Sequence, residues 1–315
     1  MKAFYATRWG GPEVMRYGDV PDPVPGSGEV RVAVHAASIN PVDWKLRSGM
    51  ARALPGQRFP RPFGTDFAGV VDAVGDGVTG LAVGERVYGL VVTMFGRPGS
   101  HAELVTVAAK RVRRMPEGLS FVDAASLPVA ALTALAGLRL AGDRAGKRLL
   151  VNGATGGVGH FAVQMARAGS ATVTAVCSAR NADRARALGA AKVLDYRTED
   201  FTRGAERYDF VFDSHAGVGY ARARRVLAPG GAYASTLPTP GLWLRSVASS
   251  FLPIGRAFVA NMRGNPEDYA ALERLLASGQ VKPVVEHVFP LAEAAKGFAL
   301  AEAGGVVGKV VLEVR

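Results

Sequence analysis

Residues 148–178 read RLLVNGATGGVGHFAVQMARAGSATVTAVCS, and this stretch decides the fold. Arg148 to Ala154 is an apolar run of strand length. Val158 to Ala168 is an apolar stretch of helix length, and Thr172 to Ser178 is a second strand-like run. Between the first strand and the helix lies Ala154-Thr155-Gly156-Gly157-Val158-Gly159. A glycine-rich turn between a strand and a helix is a dinucleotide-binding signature. Gly156 lets the backbone approach a pyrophosphate with no Cβ in the way, and Gly159 permits close packing of helix on sheet. The N–H groups that open the helix meet the negative charge. Ala154 stands where the usual pattern has its first glycine.

The same alternation continues downstream. A helix over Ala182 to Leu188 is followed by strands at Lys192 to Asp195, Tyr208 to Asp213 and Gly231 to Ser235, which predicts a doubly wound parallel sheet in an α/β domain. Upstream, Phe121 to Ala141 is Ala/Leu-rich and helical, interrupted at Pro128. Residues 241–260 are apolar with interspersed Arg, a loop or helix over a cleft. Within Leu242 to Phe258, the side chains of Trp243, Leu244, Phe251, Leu252, Ile254 and Phe258 read as a substrate lid or as a dimer interface.

Residues 1–115 have a different character, with short strands broken by Gly and Pro. Glu29 to Ala36 alternates as a half-buried strand does, and Val70 to Gly75 and Gly84 to Gly89 add further strands. The pattern is antiparallel and barrel-like. Met1 to Ala6 reads as an edge strand, and Val306 to Val314 returns to strand character and is expected to rejoin the first domain.

The chain has 315 residues, 49% hydrophobic and 21% charged, enough for two domains with a core each. No stretch approaches the roughly 18 apolar residues that a membrane helix needs. The first residues lack the apolar segment of a signal peptide, so the expected location is the cytoplasm. Cys177 is the single cysteine and is expected in the core. The five histidines (His35, His101, His160, His215, His287) show no metal-ligand spacing, and no metal site is expected. The net charge is +11, but the basic residues are scattered and the densest cluster, Lys110 to Arg114, is short. An Arg-rich solvated surface accounts for this better than a nucleic-acid site.

The end of the second strand of the 148–178 unit selects the nucleotide. An Asp or Glu there binds the ribose 2′-OH of NAD. This chain has Cys177-Ser178-Ala179-Arg180 instead, a hydroxyl and a guanidinium that suit a 2′-phosphate. The expected cofactor is therefore NADP(H).

Several blocks now fall in order along nearly the whole chain. They are Asn40-Pro41-Val42-Asp43-Trp44-Lys45-Leu46-Arg47-Ser48-Gly49, Gly64-Thr65-Asp66-Phe67-Ala68-Gly69-Val70-Val71, Gly84 to Gly89, Leu132-Thr133-Ala134, Gly153 to Gly159 and Gly308-Lys309-Val310-Val311-Leu312. In these the chain resembles the medium-chain dehydrogenase/reductase superfamily, and within it the zinc-free, quinone oxidoreductase-like branch. The resemblance implies a GroES-like β-rich catalytic domain (residues 1–118 and, on return, 261–315) around a Rossmann domain (119–260), with the cofactor lying between the two. It implies a homodimer as well. In zinc-dependent relatives a Cys, a His and another Cys hold the catalytic metal. The first two positions are Asn40 and Thr65 here, and no Cys lies near Ala130.

Without a metal to polarise an alcohol, the chemistry implied is hydride transfer from NADPH to a hydrophobic quinone or α,β-unsaturated carbonyl, whose conjugation spreads the developing charge. The resemblance places Asn40 and Thr133 near the nicotinamide and makes Lys45 a candidate donor to the substrate oxygen. It places Ala154, Thr155, Gly156, Gly157, Val158, Gly159, Ser178, Arg180 and Tyr196 around the rest of the cofactor, with Tyr196 at the ribose phosphate. His215, beside Gly217, either borders the cofactor or is a structural histidine, and the structural reading is preferred. The rival is an NADPH-binding sensor or a nucleic-acid-binding protein without turnover, which the basic charge motivates.

Overall fold

The computed structural model describes residues 1–249, 255–262 and 264–315. The chain divides into two compact units, Met1–Val129 with Val284–Arg315, and Ala130–Pro283.

The first unit is built from short strands. These are β1 (Lys2–Ala6), β2 (Met15–Asp19), β3 (Glu29–Ser38), β4 (Arg61–Pro62), β5 (Asp66–Val74), β6 (Arg86–Leu90), β7 (Leu104–Ala108) and β8 (Val112–Arg114). Helices α1 (Pro41–Arg47) and α2 (Phe121–Ala125) accompany them. The main sheet is ordered β15-β16-β3-β5-β6-β8, with β7 also on β3, where β15 (Val285–Pro290) and β16 (Lys309–Glu313) come from the returning chain with helix α9 (Ala294–Ala303). Its pairs are antiparallel except β15–β16. The alternation at Glu29–Ser38 has the expected result: Val30, Val32 and Val34 are buried and pack with Phe67, Val71, Val87, Val105 and Val107. The first strand departs from expectation. β1 is the middle of a second sheet ordered β2-β1-β4, not an edge, because Met15–Asp19 and Arg61–Pro62 pair on its two sides.

The second unit follows the sequence reading closely. Its elements are α3 (Pro128–Arg139), whose first turn crosses the boundary, then β9 (Arg148–Asn152), α4 (Gly159–Ala168), β10 (Thr172–Cys177), α5 (Ala182–Ala187), β11 (Lys192–Asp195) and β12 (Tyr208–Asp213). After these come α6 (Tyr220–Ala223), β13 (Leu227–Ser235), α7 (Pro240–Ala248), β14 (Arg256–Val259) and α8 (Pro266–Ala277). The six strands are parallel in the order β11-β10-β9-β12-β13-β14. Helices cover such a sheet on both faces, so its central strands are apolar throughout. Leu149, Leu150 and Val151 and Phe210, Val211 and Phe212 are fully buried. Gly137 on α3 is needed for packing, since a Cβ there would lie 2.6 Å from the Phe212 ring.

The unit boundaries differ from the expected 1–118, 119–260 and 261–315. Residues 119–129 stay with the first unit because Phe121 stacks on His35 at 4.2 Å and the Val129 N–H bonds Asp66. Residues 261–283 stay with the second, where Asp268 pairs with Arg139 and the Lys282 backbone bonds Gln164 at both its N–H and its C=O. The apolar segment 242–258 also resolves differently. Trp243 and Leu244 are exposed on α7, whereas Phe258 is a half-buried strand residue of β14, paired with Ala234. Phe251, Leu252 and Ile254 lie outside the described residues.

Arg61 is an unusual core residue, 2% exposed. Its guanidinium lies over the rings of Phe63, Trp9 and Phe59 at 4.5, 5.4 and 5.8 Å, and Nη1 donates to Gln57 at 2.7 Å. Among the described residues Nε and Nη2 have no hydrogen-bond partner, and burial draws the pKa down to about 10. No helix among the described residues is long and apolar enough to cross a membrane.

Candidate active site

Two polar constellations stand out, one in each unit. In the second unit, parallel strands bring the ends of β9, β10, β11 and β12 to one edge of the sheet. The chain leaves β9 in one direction and β12 in the other, the switch point at which open α/β sheets hold ligands. The turn after β9 begins at Gly153, with φ 74°, and this residue makes the left-handed bend that the sequence pattern assigned to position 154. Ala154 is therefore free to be a buried alanine, its N–H bonded to Val176 O at 3.1 Å. Gly159 starts α4 with Gly153 O 2.0 Å from where its Cβ would be, whereas Gly156 has nothing nearer than 3.4 Å. At the start of α4 the His160 N–H bonds Gly156 O at 3.0 Å and the Ala162 N–H bonds Val158 O at 3.1 Å, and the backbone of Gly156, Gly157 and Val158 just before the helix is partly exposed at this edge. Thr155 is buried and accepts from Asn181 Nδ2 at 3.4 Å, which ties the glycine turn to the segment after β10.

Cys177 and Asp195 are paired across β10 and β11, so Ser178 and Tyr196 emerge beside one another. Ser178 is buried, Arg180 is exposed and Tyr196 is 58% exposed, with the Arg197 guanidinium 5.8 Å from its ring. Cys177 itself is buried, and burial pushes its thiol pKa up. On the other side of the switch point, Asp213 at the end of β12 accepts from Asn152 Nδ2 at 2.8 Å, Tyr233 OH at 3.0 Å and Val218 N–H at 3.0 Å. It thereby shapes the turn that carries exposed His215 against Gly153. An aspartate at a strand end was the signal that could have found this anchor. Thr133 lies buried on α3. These features suit a dinucleotide, with bare backbone at a helix start and a hydroxyl and a guanidinium at the next strand end.

In the first unit, Asn40 precedes α1 and Thr65 precedes β5, and both join a buried network. The Asn40 N–H donates to Asp43 Oδ2 at 2.8 Å, the carboxylate half of a capping box. Thr65 donates its hydroxyl to Asp43 Oδ1, also at 2.8 Å. The Asn40 side chain spans two charges. Its Nδ2 donates to Asp66 Oδ2 at 2.9 Å, and its Oδ1 accepts from Lys309 Nζ at 2.5 Å. Lys309 also donates to Ile39 O at 3.2 Å and lies 3.8 Å from Asp66 Oδ2. Asp66 accepts further from Ser38 Oγ at 2.8 Å and from Val129 N–H at 2.9 Å. Burial dominates the electrostatics. It raises Asp43 to about 6, raises Asp66, lowers Lys309 and lowers His101 to about 4, while hydrogen bonds and the opposite charges pull the other way. Lys45 is not part of this network; it is exposed on α1. The buried ammonium is Lys309, which in the sequence stands out only within the block Gly308 to Leu312. Among the described residues no group of three or more His, Cys, Asp and Glu is placed to hold a metal.

Comparisons with known proteins agree over both units. Residues 26–117 match the alcohol dehydrogenase GroES-like domain, and residues 188–312 match the family described as zinc-binding dehydrogenase. The chloroplast envelope quinone oxidoreductase homolog of Arabidopsis thaliana is 33% identical, covering 98% of this chain and 97% of that one. The 2-methylene-furan-3-one reductase of Solanum lycopersicum is 35% identical over 99% of this chain and 79% of its own. The structure of the quinone oxidoreductase from Coxiella burnetii superposes with a TM-score of 0.91 at 33% identity, over 100% of this chain and 99% of that one. With a GroES-like β-rich unit, a Rossmann-type parallel sheet and full-length likeness to these proteins, the chain belongs to the quinone oxidoreductase-like branch of the medium-chain dehydrogenase/reductase superfamily.

Proposed function

We propose that the protein is a zinc-independent, NADPH-dependent reductase that transfers hydride to a quinone or an α,β-unsaturated carbonyl. The observation that carries the reading is the sheet edge of the second unit, where the glycine turn opening α4 stands near a strand end furnished with Ser178 and Arg180 in place of a carboxylate. An anionic side chain there would repel a 2′-phosphate, and a guanidinium attracts one. The names of the relatives, a quinone oxidoreductase and the reductase of a conjugated furanone, support the acceptor class.

When bound, the nicotinamide supplies the hydride. The chain's part is to hold it and the acceptor in register and to hydrogen-bond the oxygen on which charge develops. Asn40 and Thr133 are assigned to the nicotinamide end and Lys45, with its exposed amine, to the acceptor oxygen. Thr155, Gly156, Gly157, Val158 and Gly159, with Ala154 beneath them, are assigned to the pyrophosphate, and Ser178, Arg180 and Tyr196 to the phosphorylated ribose. The residues at the metal-ligand positions do not fit zinc. Asn40 Oδ1 is taken by an ammonium, which would repel a divalent cation, and the Thr65 hydroxyl is taken by Asp43. No step in this reading uses a metal. The reading includes a cytoplasmic homodimer, which solution mass and cell fractionation test.

The test is a fluorescence titration with NADPH and NADH, followed by a panel of quinones and enones with absorbance as readout. Tight NADPH binding, weak NADH binding and turnover of one acceptor class are expected. A second reading, an NADPH-binding sensor or nucleic-acid-binding protein without turnover, draws on one feature. Arg207, Arg224, Arg225 and Arg256 line a groove of about 900 Å³ at the amino-terminal ends of β12, β13 and β14. NADPH binding with no turnover, together with salt-sensitive nucleic-acid binding, would favour it.

A further inference from the structure

We propose that Lys309 is a positioning residue of the hydride-transfer site, which holds the side-chain amide of Asn40 in one orientation. The inference rests on the reductase reading, because it acts through Asn40.

The Asn40 amide lies between charges of opposite sign. Its carbonyl oxygen faces the Lys309 ammonium at 2.5 Å and its NH₂ faces the Asp66 carboxylate at 2.9 Å. Rotating the amide by half a turn would set NH₂ against ammonium and C=O against carboxylate, two repulsive contacts in a site where little water screens them. The main chain is fixed as well, since Asn40 N–H is held by Asp43 and Ile39 C=O by Lys309 itself. Asn40, Asp43, Asp66 and Lys309 are all at most 3% exposed. Lys309 is drawn in from β16, 269 residues along the chain from Asn40.

Stability alone is a poor reason for this arrangement. Desolvating an ammonium and two carboxylates is costly, and well-packed apolar side chains often replace such a set without loss. What apolar packing cannot supply is a directional donor that distinguishes the two ends of an amide. Asn40 is also an N-cap residue whose side-chain oxygen would ordinarily accept from the first turn of its own helix. Here that oxygen also accepts from Lys309, while the Asp43 carboxylate takes the Asn40 N–H as the other half of the capping box.

The experiment compares the wild-type enzyme with Lys309→Met, Asn40→Ala and the double variant, measuring NADPH affinity, melting temperature, and kcat and KM for the best acceptor. Lys309→Met is expected to lower kcat roughly 10- to 100-fold, the scale of a displaced positioning group, with NADPH affinity and acceptor KM nearly unchanged. In the Asn40→Ala background, Lys309→Met is expected to lower kcat no further, because the group it positions is gone. Multiplicative losses in the double variant, or unchanged kcat in folded Lys309→Met, overturn the inference while leaving the reductase reading intact. Should Lys309→Met not fold, Lys309→Gln takes its place with the same two criteria, because a Gln amide can turn to meet either end of the Asn40 amide and so fixes neither orientation. A wild-type protein that binds NADPH but reduces no acceptor overturns the reductase reading and this inference with it.

Discussion

The carbonyl oxygen of Gly153 closes over Gly159 so tightly that a Cβ on Gly159 would stand 2.0 Å from it. Both are backbone positions in a turn held to β10, so neither has room to yield. Gly159→Ala is expected to cost roughly 3 kcal/mol or more, the range of severe overpacking, and to appear as a large drop in melting temperature. Gly156→Ala meets nothing nearer than 3.4 Å and is expected to fold normally. Its effect is on the ligand, with NADPH affinity falling about tenfold, as losing about 1.4 kcal/mol of close backbone contact would give. Thermal melts and nucleotide titrations on both variants separate the two roles.

At the other end of the cofactor, Arg180→Ala is expected to weaken NADPH binding by about tenfold or more, the equivalent of one lost charge-assisted hydrogen bond. NADH binding should stay within a factor of two or so, since NADH has no 2′-phosphate. Equal losses for both nucleotides would argue that Arg180 touches something other than that phosphate.

Two groups of the first unit's network give stability opposite slopes with pH. The His101 ring is lowered to about 4 by burial and stays neutral in the fold, while the unfolded chain titrates near its ordinary value of about 6.5. Its contribution is present above about 6.5 and lost as pH falls toward 4, on the order of 3 kcal/mol. Asp43 is raised to about 6 by burial, so the fold holds its proton more tightly than the unfolded chain does. That contribution is largest below about 4 and is lost as pH rises through 6, on the order of 2 to 3 kcal/mol. Urea unfolding at pH 4.5 and 7 should show His101→Gln gaining on the wild type as pH falls, and Asp43→Asn gaining on it as pH rises.

Among the described residues, Arg61 Nε and Nη2 find no hydrogen-bond partner inside a cage of three rings. Arg61→Met replaces the aliphatic stem but ends short of the guanidinium, removes the buried charge and sets a thioether among the aromatics. The expected melting temperature is equal to or above that of the wild type. A fall of more than about 5 °C, roughly 3 kcal/mol for a chain of this size, would mean that the cation–π contacts outweigh the two missing hydrogen bonds.

The second unit was legible in sequence because its signals are local. A strand, a glycine turn and a helix announce themselves within thirty residues, and Lys192–Asp195 and Tyr208–Asp213 fall at the expected ends. β14 was missed because four residues, Arg-Ala-Phe-Val, carry no period of their own and gain strand geometry only by pairing with β13. The glycine turn was read one residue late, since the pattern searches for a glycine at 154 while the backbone needs one at 153. The polar network of the first unit was legible only in part. Asn40 and Thr65 could be picked out by resemblance, but Lys309 opens a strand, where an isolated lysine reads as surface. What buries it are Ile39, Asn40 and Asp66, contributed by segments more than 240 residues away.

The position of β16 between β15 and β3 has a consequence for the order of events on the ribosome. When residue 129 has emerged, β3 has β5 and β7 to pair with but lacks its remaining neighbour, and Asp66 and Asp43 have no ammonium to face. Residues 130–283 can be made and folded in that interval. Residues 1–129 are thus begun before residues 130–283 and finished after them, waiting for residues 284–315 with their own strand and their own counter-ion.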